Sequence, residues 1–434
     1  MLCLPFGHGR AAEVGRSGSE PLLDKRARLV PFLEVLAATL HQSLSAKKAV
    51  LARESSSLRG DLTSAKALPD LTLSGTWSAR RPELAPTQRR EQAYSARLTH
   101  TLWDFGRTQA ELDKADADEQ VQALNVSEIE DRLKWQVARA YQSLINAISI
   151  TARTQQNLRL SEKKLDEIQD NYKHGLRAKV DLVGAEADRA TSYLNAARAE
   201  SEVALLDLSL SALAGLPTVF RNQPERGNTA IAIRGPDQWR NIIAAWPKDV
   251  RSASEKKIEA QLDALNVSAS AIDASRYPNL GLSVDATRGG SWQETSWVYS
   301  GQLALSWEVP WTRQHSLERH ILANERRSVE ADLENVRRDR RDLMQAAELR
   351  IRLAGDLWQA SARQLEFREE QFTLTQERYH AGKATILELS NHELELGNAR
   401  LEQVRIAGTL AASVLDLAEA MGVENLEGVF HDAG

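Results

Sequence analysis

The sequence predicts a mixed α and β fold, mostly long α-helices, built from two internal repeats of one unit. Each repeat joins a pair of strand-like segments to a long helical hairpin, and equivalent residues of the two repeats lie roughly 207 residues apart. Two further observations support the prediction: the strand-like segments alternate apolar and polar residues, and the helical tracts almost lack proline and glycine. The matched landmarks of the two repeats are Pro69 with Pro278, Tyr94 with Tyr299, and Gly175 with Gly382.

Composition and charge exclude several classes of protein. The chain has 434 residues, of which 42% are hydrophobic and 26% charged, and it contains no run of about 20 apolar residues that would predict a transmembrane helix. A net charge of −5 and the lack of a dense lysine or arginine block argue against nucleic acid as a partner. The single cysteine, Cys3, excludes an internal disulfide and a cysteine-based zinc site. Scattered histidines and the lack of a phosphate-binding loop predict no enzyme, no metal site and no cofactor.

The N-terminal residues 1–28 are predicted to be a disordered segment or the remnant of a leader. They carry several arginines and lack an apolar core of the length that a secretory signal peptide needs. We expect the natural leader to lie upstream of the start as given, because the start is misassigned or the leader has been removed. The stretch Leu29–Leu40 is interpreted as the first amphipathic helix.

Both strand pairs show the two-residue period of a sheet with one apolar face. Leu71 and Leu73 alternate with threonine and serine in the first pair, and Leu303 alternates with small or polar residues in the second. Each segment is predicted to be about 9–11 residues long, which suits a tilted strand of an outer-membrane barrel. Polar loops are predicted over 79–92 and 287–296. Aromatic residues at the strand ends are typical of the two membrane interfaces: Trp77, Tyr94, Trp103, Tyr277, Trp297, Tyr299, Trp307 and Trp311.

Two helical tracts are predicted to be far longer than an ordinary helix. The chain from Arg107 to Asn171, and again from Thr312 to Ala381, has no proline and at most one glycine. At about 1.5 Å per residue each tract would extend about 100 Å. Gly175 and Gly382 are predicted to end these helices as left-handed C-caps, so that the chain returns as an antiparallel hairpin. The returning helices are predicted at Val180–Leu213 and Ile386–Met421.

Four strands in one chain cannot close a barrel. A sheet inside a membrane needs both of its edges paired, and outer-membrane barrels have at least eight strands. Several copies of the chain must therefore share one barrel, and three copies would give about twelve strands. A soluble coiled-coil scaffold or adaptor protein, in which the strand pairs only cap the helices, is the alternative that these patterns leave open.

A series of motifs runs in a fixed order through residues 29–421. They are Leu29–Pro69, Leu102–Arg107, Val137–Tyr141, Tyr172 with Gly175 and Asp181, Leu213–Pro217, and Tyr379 with Gly382 and Glu388. In this order they resemble the TolC family of outer-membrane channel proteins, which export proteins or small toxic compounds from Gram-negative bacteria. The resemblance implies a homotrimer whose twelve-stranded barrel lies in outer-membrane lipid and is continued by a periplasmic tunnel of long helices.

The same resemblance implies a passive conduit within a tripartite export system. Its partners would be a periplasmic adaptor (a membrane fusion protein) and an inner-membrane pump of the ABC or proton-driven type. Type I protein secretion and drug efflux are both compatible with these motifs. The resemblance assigns the segments as follows: tunnel helix 29–68, first strand pair 69–104, first helical hairpin 105–213, equatorial segment 214–248, tunnel helix 249–277, second strand pair 278–310, second helical hairpin 311–421 and equatorial tail 422–434.

The family closes its tunnel at the hairpin tips, which here are the turns at Gly175 and Gly382. By match to the family motif, Asp181 and Tyr379 fall on positions that link neighbouring coils in the closed state. The basic partner usual in the family is replaced by Ala384, so Arg177 or Lys383 would have to substitute for it. Of the two acidic positions that line the family's constriction, one is Glu388 and the other is Asn391. With one ring of carboxylates instead of two, cations would bind more weakly at the constriction and would block the channel less.

Overall fold

The computed structural model describes seven ranges of the chain: 27–80, 89–222, 234–247, 251–291, 294–307, 313–423 and 426–430. Its helices are α1 (Phe32–Gln42), α2 (Leu44–Lys66), α3 (Arg107–Lys173), α4 (Lys179–Ala214), α5 (Pro236–Ala244), α6 (Ala253–Ala274), α7 (Gln314–His380), α8 (Ile386–Met421) and α9 (Glu427–Phe430). Its strands are β1 (Ala27–Leu29), β2 (Asp70–Arg80), β3 (Arg89–Trp103), β4 (Phe220–Asn222), β5 (Asn279–Ser291) and β6 (Glu294–Ser306). The predictions for residues 1–26, for Trp311 and for the last four residues lie outside the described ranges.

The two long helices form as the lack of proline and glycine predicts. Helices α3 and α7 contain 67 residues each, so each extends about 100 Å at ~1.5 Å per residue. The returning helices α4 and α8 contain 36 residues each. Among the described helices, no stretch is both long and apolar enough to cross a membrane.

The larger sheet joins the two repeats in the order β2-β3-β5-β6, with every neighbouring pair antiparallel. Strands β2, β3, β5 and β6 have 11, 15, 13 and 13 residues. The predicted length of 9–11 residues was therefore too short for three of them. Pairing continues into the segments predicted as loops, because backbone hydrogen bonds do not require an apolar side chain.

Cross-strand register gives this sheet one apolar and one polar face. Leu71 pairs with Leu98 and Leu98 with Val284 on one face, whereas Arg97 pairs with Asp285 on the other. The apolar side chains are largely exposed to the surroundings of the single chain, as the lipid-facing side of a barrel would be.

Aromatic side chains bound the apolar face at both ends. Tyr94 and Trp297 lie near the hairpin turns of the sheet, and Trp307 lies at the end next to the helices. From Trp297 to Trp307 the chain rises about 34 Å at ~3.4 Å per residue, which a tilt of about 40° reduces to roughly 25 Å. This height matches the apolar band of an outer-membrane barrel.

The long helices pack side by side in an order that changes along their length. Near the sheet the order of packing is α2-α3-α6-α7, and near the hairpin turns it is α4-α3-α8-α7. One flank of the chain therefore consists of β2, α2 and α4, and the opposite flank of β6 and α7.

The two hairpins approach most closely where glycines of α8 face asparagines of α3. A Cβ added at Gly397 would overlap the side chain of Asn157, and one added at Gly408 would overlap that of Asn146. The two contacts are separated by about eleven residues on both helices, which is three helical turns. Small residues at this spacing let α3 and α8 run side by side over their shared length.

A compact core surrounds the middle of the helical layer. Tyr141 of α3 packs edge-on against both Phe32 and Phe430, with ring centroids 5.5 Å and 5.4 Å away, and its hydroxyl donates to the carbonyl of Val30 at 2.8 Å. The carboxylate of Asp207 accepts hydrogen bonds from the chain next to β4, which pairs with β1. Both ends of the described chain therefore meet at the same level of the helical layer.

Candidate functional site at the hairpin tips

Both long helices end in the same turn. Gly175 and Gly382 have φ angles of 72° and 70°, in the left-handed region that glycine adopts without strain. In the first turn Leu176 donates its backbone N–H to the carbonyl of Asn171 and Gly175 donates to Tyr172, which is a Schellman motif. The second turn repeats these two hydrogen bonds from Lys383 and Gly382. The two tips are therefore equivalent in backbone and differ only in side chains.

The helices that leave these turns begin differently. In α8 the hydroxyl of Thr385 accepts from the N–H of Glu388, and the carboxylate of Glu388 accepts from the N–H of Thr385, each at 3.2 Å. This capping box holds the Glu388 carboxylate against its own helix. In α4 the equivalent first position is Ala178, which has no side chain that can cap a helix.

Asp181 is the equivalent of Glu388 in the first hairpin, but it has no capping hydroxyl beside it and lies next to Arg177 instead. Its Oδ2 atom lies 3.9 Å from Nη1 of Arg177, and both side chains are about three-quarters buried. Arg177, one of the two predicted substitutes for the missing basic residue, therefore lies beside Asp181. The predicted constriction residues Glu388 and Asn391 are both exposed at the start of α8.

Tyr379 links the second hairpin to the first. Its hydroxyl donates to Oε1 of Glu167 at 2.9 Å, so within one chain its partner among the described residues is Glu167 and not Asp181. The pKa of Tyr379 is raised above its ordinary value, first by this hydrogen bond and then by desolvation and the Glu167 charge, while Arg177 acts in the opposite direction. The predicted residues Arg177, Asp181 and Tyr379 are thus gathered at one place, with Glu167 as an added member.

An apolar cluster beneath these polar contacts holds both hairpins together. Ile168 of α3, Ala185 of α4 and Ile386 of α8 are buried against one another. Tyr379 packs on the same cluster with its ring, so its hydroxyl is positioned by both apolar and polar contacts.

A buried ion pair lies next to this cluster. Lys164 is only 4% exposed, and its Nζ atom lies 2.7 Å from Oδ2 of Asp188. The pKa of Glu393 on α8 is raised mainly by desolvation, although the charges of Lys163 and Lys164 oppose that shift. Sequence analysis missed this pair, but Lys164 follows Ser161 by three residues and precedes Ile168 by four on the buried face of α3. A lysine on the buried face of a helix was therefore the sequence signal that could have identified this ion pair.

The arrangement at the tips can hold or release a contact between two hairpins, and it has no features of a reaction centre. Among the residues that the structure describes, no three or more His, Cys, Asp or Glu side chains are placed to hold a metal ion. The polar contacts are hydrogen bonds and ion pairs at partly exposed positions, which are individually weak and easily exchanged.

Known proteins share both the sequence signature and the fold. Residues 251–423 match the family model described as outer membrane efflux protein. A search of curated proteins finds no match. Crystal structures of CusC superpose with a TM-score of 0.72 at 16% identity, covering 90% of this chain and 92% of that one.

Two further channels from named bacteria agree over most of their length. The Campylobacter jejuni CmeC outer membrane channel gives a TM-score of 0.71 at 12% identity, covering 99% of this chain and 94% of that one. The open state of the Neisseria gonorrhoeae MtrE outer membrane channel gives 0.70 at 16% identity, covering 92% and 90%. The family match over the second repeat and the fold shared over both repeats therefore agree with the resemblance: residues 251–423 carry the sequence pattern of outer membrane efflux proteins, and the chain as a whole has the fold of these channels.

Proposed function

We propose that three copies of this chain form one export duct, closed at rest by contacts at the hairpin tips. The family consists of outer-membrane channels that act as conduits rather than enzymes. In this proposal the periplasmic ends of the hairpins receive cargo through an adaptor and an inner-membrane pump, which also supply the energy. Cargo choice rests with those partners, because the wall of a duct offers no enclosed binding site.

The observation that carries the proposal is that the unpaired edges of the chain fall on two opposite flanks. Strand β2 ends the sheet on the same side as α2 and α4, and β6 ends it on the same side as α7. A contact between such unlike flanks is heterologous and generates a ring when the rotation closes. In the order of alternating strands, β2 of one copy would run antiparallel to β6 of the next.

Exposed apolar side chains on these flanks lie at matching heights. Leu194 on α4 is 48% exposed and Phe367 on α7 is 65% exposed. At ~1.5 Å per residue they lie about 24 Å and about 21 Å from the turns of their hairpins. Leu194 also faces away from Ala196 and Val203, which α4 buries against α3. This placement supports a contact between Leu194 of one copy and Phe367 of the next.

Cysteine cross-linking tests the ring directly. In a background where Cys3 is replaced by serine, we expect Leu194→Cys with Phe367→Cys to form a disulfide between copies on mild oxidation. A non-reducing gel of membranes would then show dimers and trimers and no larger species, because a closed ring of three has three such contacts.

A matched pair controls for random collision. The control pair is Leu205→Cys with Leu374→Cys, at apolar positions that are also exposed. Their distances from the hairpin turns differ by about 30 Å, so no disulfide is expected. Equal cross-linking of both pairs, a ladder beyond three copies, or an uncrosslinked monomer that fractionates without detergent would each reject the proposed trimer.

The resting closure is tested at the tips. Tyr379→Phe removes the hydrogen bond to Glu167, and Asp181→Ala removes the contact with Arg177. Each contact is worth about 1 kcal/mol at such a site and occurs three times in the ring, so we expect both variants to raise single-channel conductance in planar bilayers. Tyr193→Phe, at an exposed position on α4, serves as the control and should leave conductance unchanged. Unchanged conductance in both tip variants would reject the gate assignment.

A further inference from the structure

Two arginines whose side chains are described lie in the large sheet, on opposite faces. Arg97 belongs to the polar face and forms an ion pair with Asp285, its cross-strand neighbour. Arg288 belongs to the apolar face, where its cross-strand neighbours are Tyr94 and Trp297. One arginine is thus neutralised within the chain, and the other is placed where the proposed barrel meets lipid.

The surroundings of Arg288 contain aromatic rings and no described carboxylate. Its guanidinium carbon lies 5.7 Å from the centroid of the Trp297 ring, which is a cation–π contact. Among the described side chains Arg288 takes part in no ion pair, in contrast to Arg97. The positive charge therefore has no counter-ion among the described side chains of its own face.

The depth of Arg288 determines what it meets in a membrane. Its row is the aromatic row at the end of the sheet away from the helices, where β5 ends at Ser291 and β6 begins at Glu294. An arginine facing lipid costs about 2–4 kcal/mol at the midplane of a bilayer but only about 0–1 near the interface. Given the proposed orientation, with the helices in the periplasm, this row lies at the headgroups of the outer leaflet.

We propose that Arg288, seated on Trp297, binds the phosphate of an anionic lipid headgroup in the outer leaflet. The guanidinium is planar, always charged and able to donate two parallel hydrogen bonds to a phosphate. The indole lies beside the guanidinium, and no described side chain accepts a hydrogen bond from its N–H groups. Three copies would place three such sites around the barrel, so the inference rests on the proposed trimer in the outer membrane.

Lipid titration of the purified full-length oligomer in neutral detergent tests this inference. The probes are bisphosphorylated lipid A, its dephosphorylated form and inorganic phosphate, with bound lipid counted by native mass spectrometry. We expect the wild type to bind the phosphorylated form at least tenfold more tightly than the dephosphorylated form. Arg288→Gln should lose most of this preference, and millimolar inorganic phosphate should not compete.

A charge-matched control separates a specific site from general electrostatic attraction. Arg159→Gln removes the same charge from an exposed position of α3, about 78 Å along the helix from its first residue, and should bind lipid as the wild type does. Equal binding by Arg288→Gln and wild type, equal loss in both variants, or full competition by inorganic phosphate would overturn the lipid site. Trp297→Leu provides a second variant, and we expect it to weaken binding several-fold by removing the stacking surface.

The failure of this inference is distinguishable from failure of the proposed function. A wild-type oligomer that is trimeric, heat-resistant and located in the outer membrane, yet shows no phosphate preference, contradicts only the lipid site. A wild-type chain that is monomeric without lipid or detergent contradicts the trimer itself. Where the wild type is trimeric, Arg288→Gln should be trimeric too, because the contact of its side chain among the described residues is the one with Trp297.

Discussion

Replacement of Tyr141 by alanine is expected to lower the free energy of unfolding of the central core by about 3–5 kcal/mol. The ring is completely buried and packs edge-on against both Phe32 and Phe430, which stack on each other with centroids 4.3 Å apart. These three residues come from α1, α3 and α9, so the cavity left by alanine would separate both ends of the described chain from the helical layer. The heat-dissociation temperature of the oligomer and the helical circular dichroism signal measure the loss.

The hydroxyl of Tyr141 contributes separately from its ring. Tyr141→Phe keeps the ring but leaves the buried carbonyl of Val30 without its hydrogen bond, at a cost of about 1 kcal/mol. Burial raises the pKa of Tyr141 far above its ordinary value, so the hydroxyl stays protonated and this contribution does not vary through the physiological pH range. A Tyr141→Ala variant with the heat resistance of the wild type would show that the core does not depend on this ring.

The long helices and the duplication were predictable because their signals are local. Sixty-odd residues without proline offer no place at which an α-helix must end, and a glycine after such a tract supplies the left-handed residue that ends it. Helix α8 begins at Ile386 and ends at Met421, as the sequence predicts. The left-handed residues Gly382 and Gly422 lie just before its start and directly after its end. The apolar face of the sheet was predictable for a similar reason, since apolar residues recur at every second position along the strands.

Strand length was not predictable from that period. Beyond Trp77 the side chains become polar, yet β2 continues to Arg80 because its partner β3 begins at Arg89 and extends the ladder. The apolar pattern gives the length of the apolar face, whereas the hydrogen-bonded ladder gives the length of the strand itself. The two lengths differ wherever a strand pair continues beyond the apolar face.

The contacts at the tips divide in the same way between local and distant partners. The capping box of Thr385 and Glu388 spans three residues and follows a recognisable pattern, so the sequence contains it. The hydrogen bond from Tyr379 to Glu167 spans 212 residues and depends on how α3, α7 and α8 pack. Family resemblance located Tyr379 at the tip but could not supply Glu167 as its partner within one chain.

Replacement of Asp188 by asparagine is expected to destabilise the hairpin tips by about 3 kcal/mol. Asp188 is itself 41% exposed, but it neutralises Lys164, whose side chain is 3% exposed. Removing the Asp188 carboxylate leaves the Lys164 ammonium ion without its ion-pair partner. The half-buried Glu393 is then the remaining carboxylate whose charge acts on Lys164. Hydrogen exchange of the tip segments, combined with bilayer conductance, would detect the loosening, since the pair joins α3 to α4 and the charge of Lys164 also acts on Glu393 of α8.

The opposite substitution should have a much smaller effect. Lys164→Met fills the same space without a charge, and the partly exposed Asp188 can then be hydrated, so we expect a change within about 1 kcal/mol. The double variant Lys164→Met with Asp188→Asn should recover most of the stability lost by Asp188→Asn alone. Such recovery would identify the unpaired charge, and not the missing carboxylate, as the cause of the loss.

An exposed ion pair on the same helix calibrates this expectation. Lys173 and Asp170 lie 3.2 Å apart with side chains 61% and 72% exposed, so Asp170→Asn should change stability by less than about 0.5 kcal/mol. The two aspartates carry the same charge near the same turn and differ mainly in the burial of their lysine. If Asp188→Asn changed hydrogen exchange no more than Asp170→Asn does, Lys164 would not be a buried charge that fixes α4 against α3. Tip stability would then be assigned to the apolar contacts of Ile168, Ala185 and Ile386.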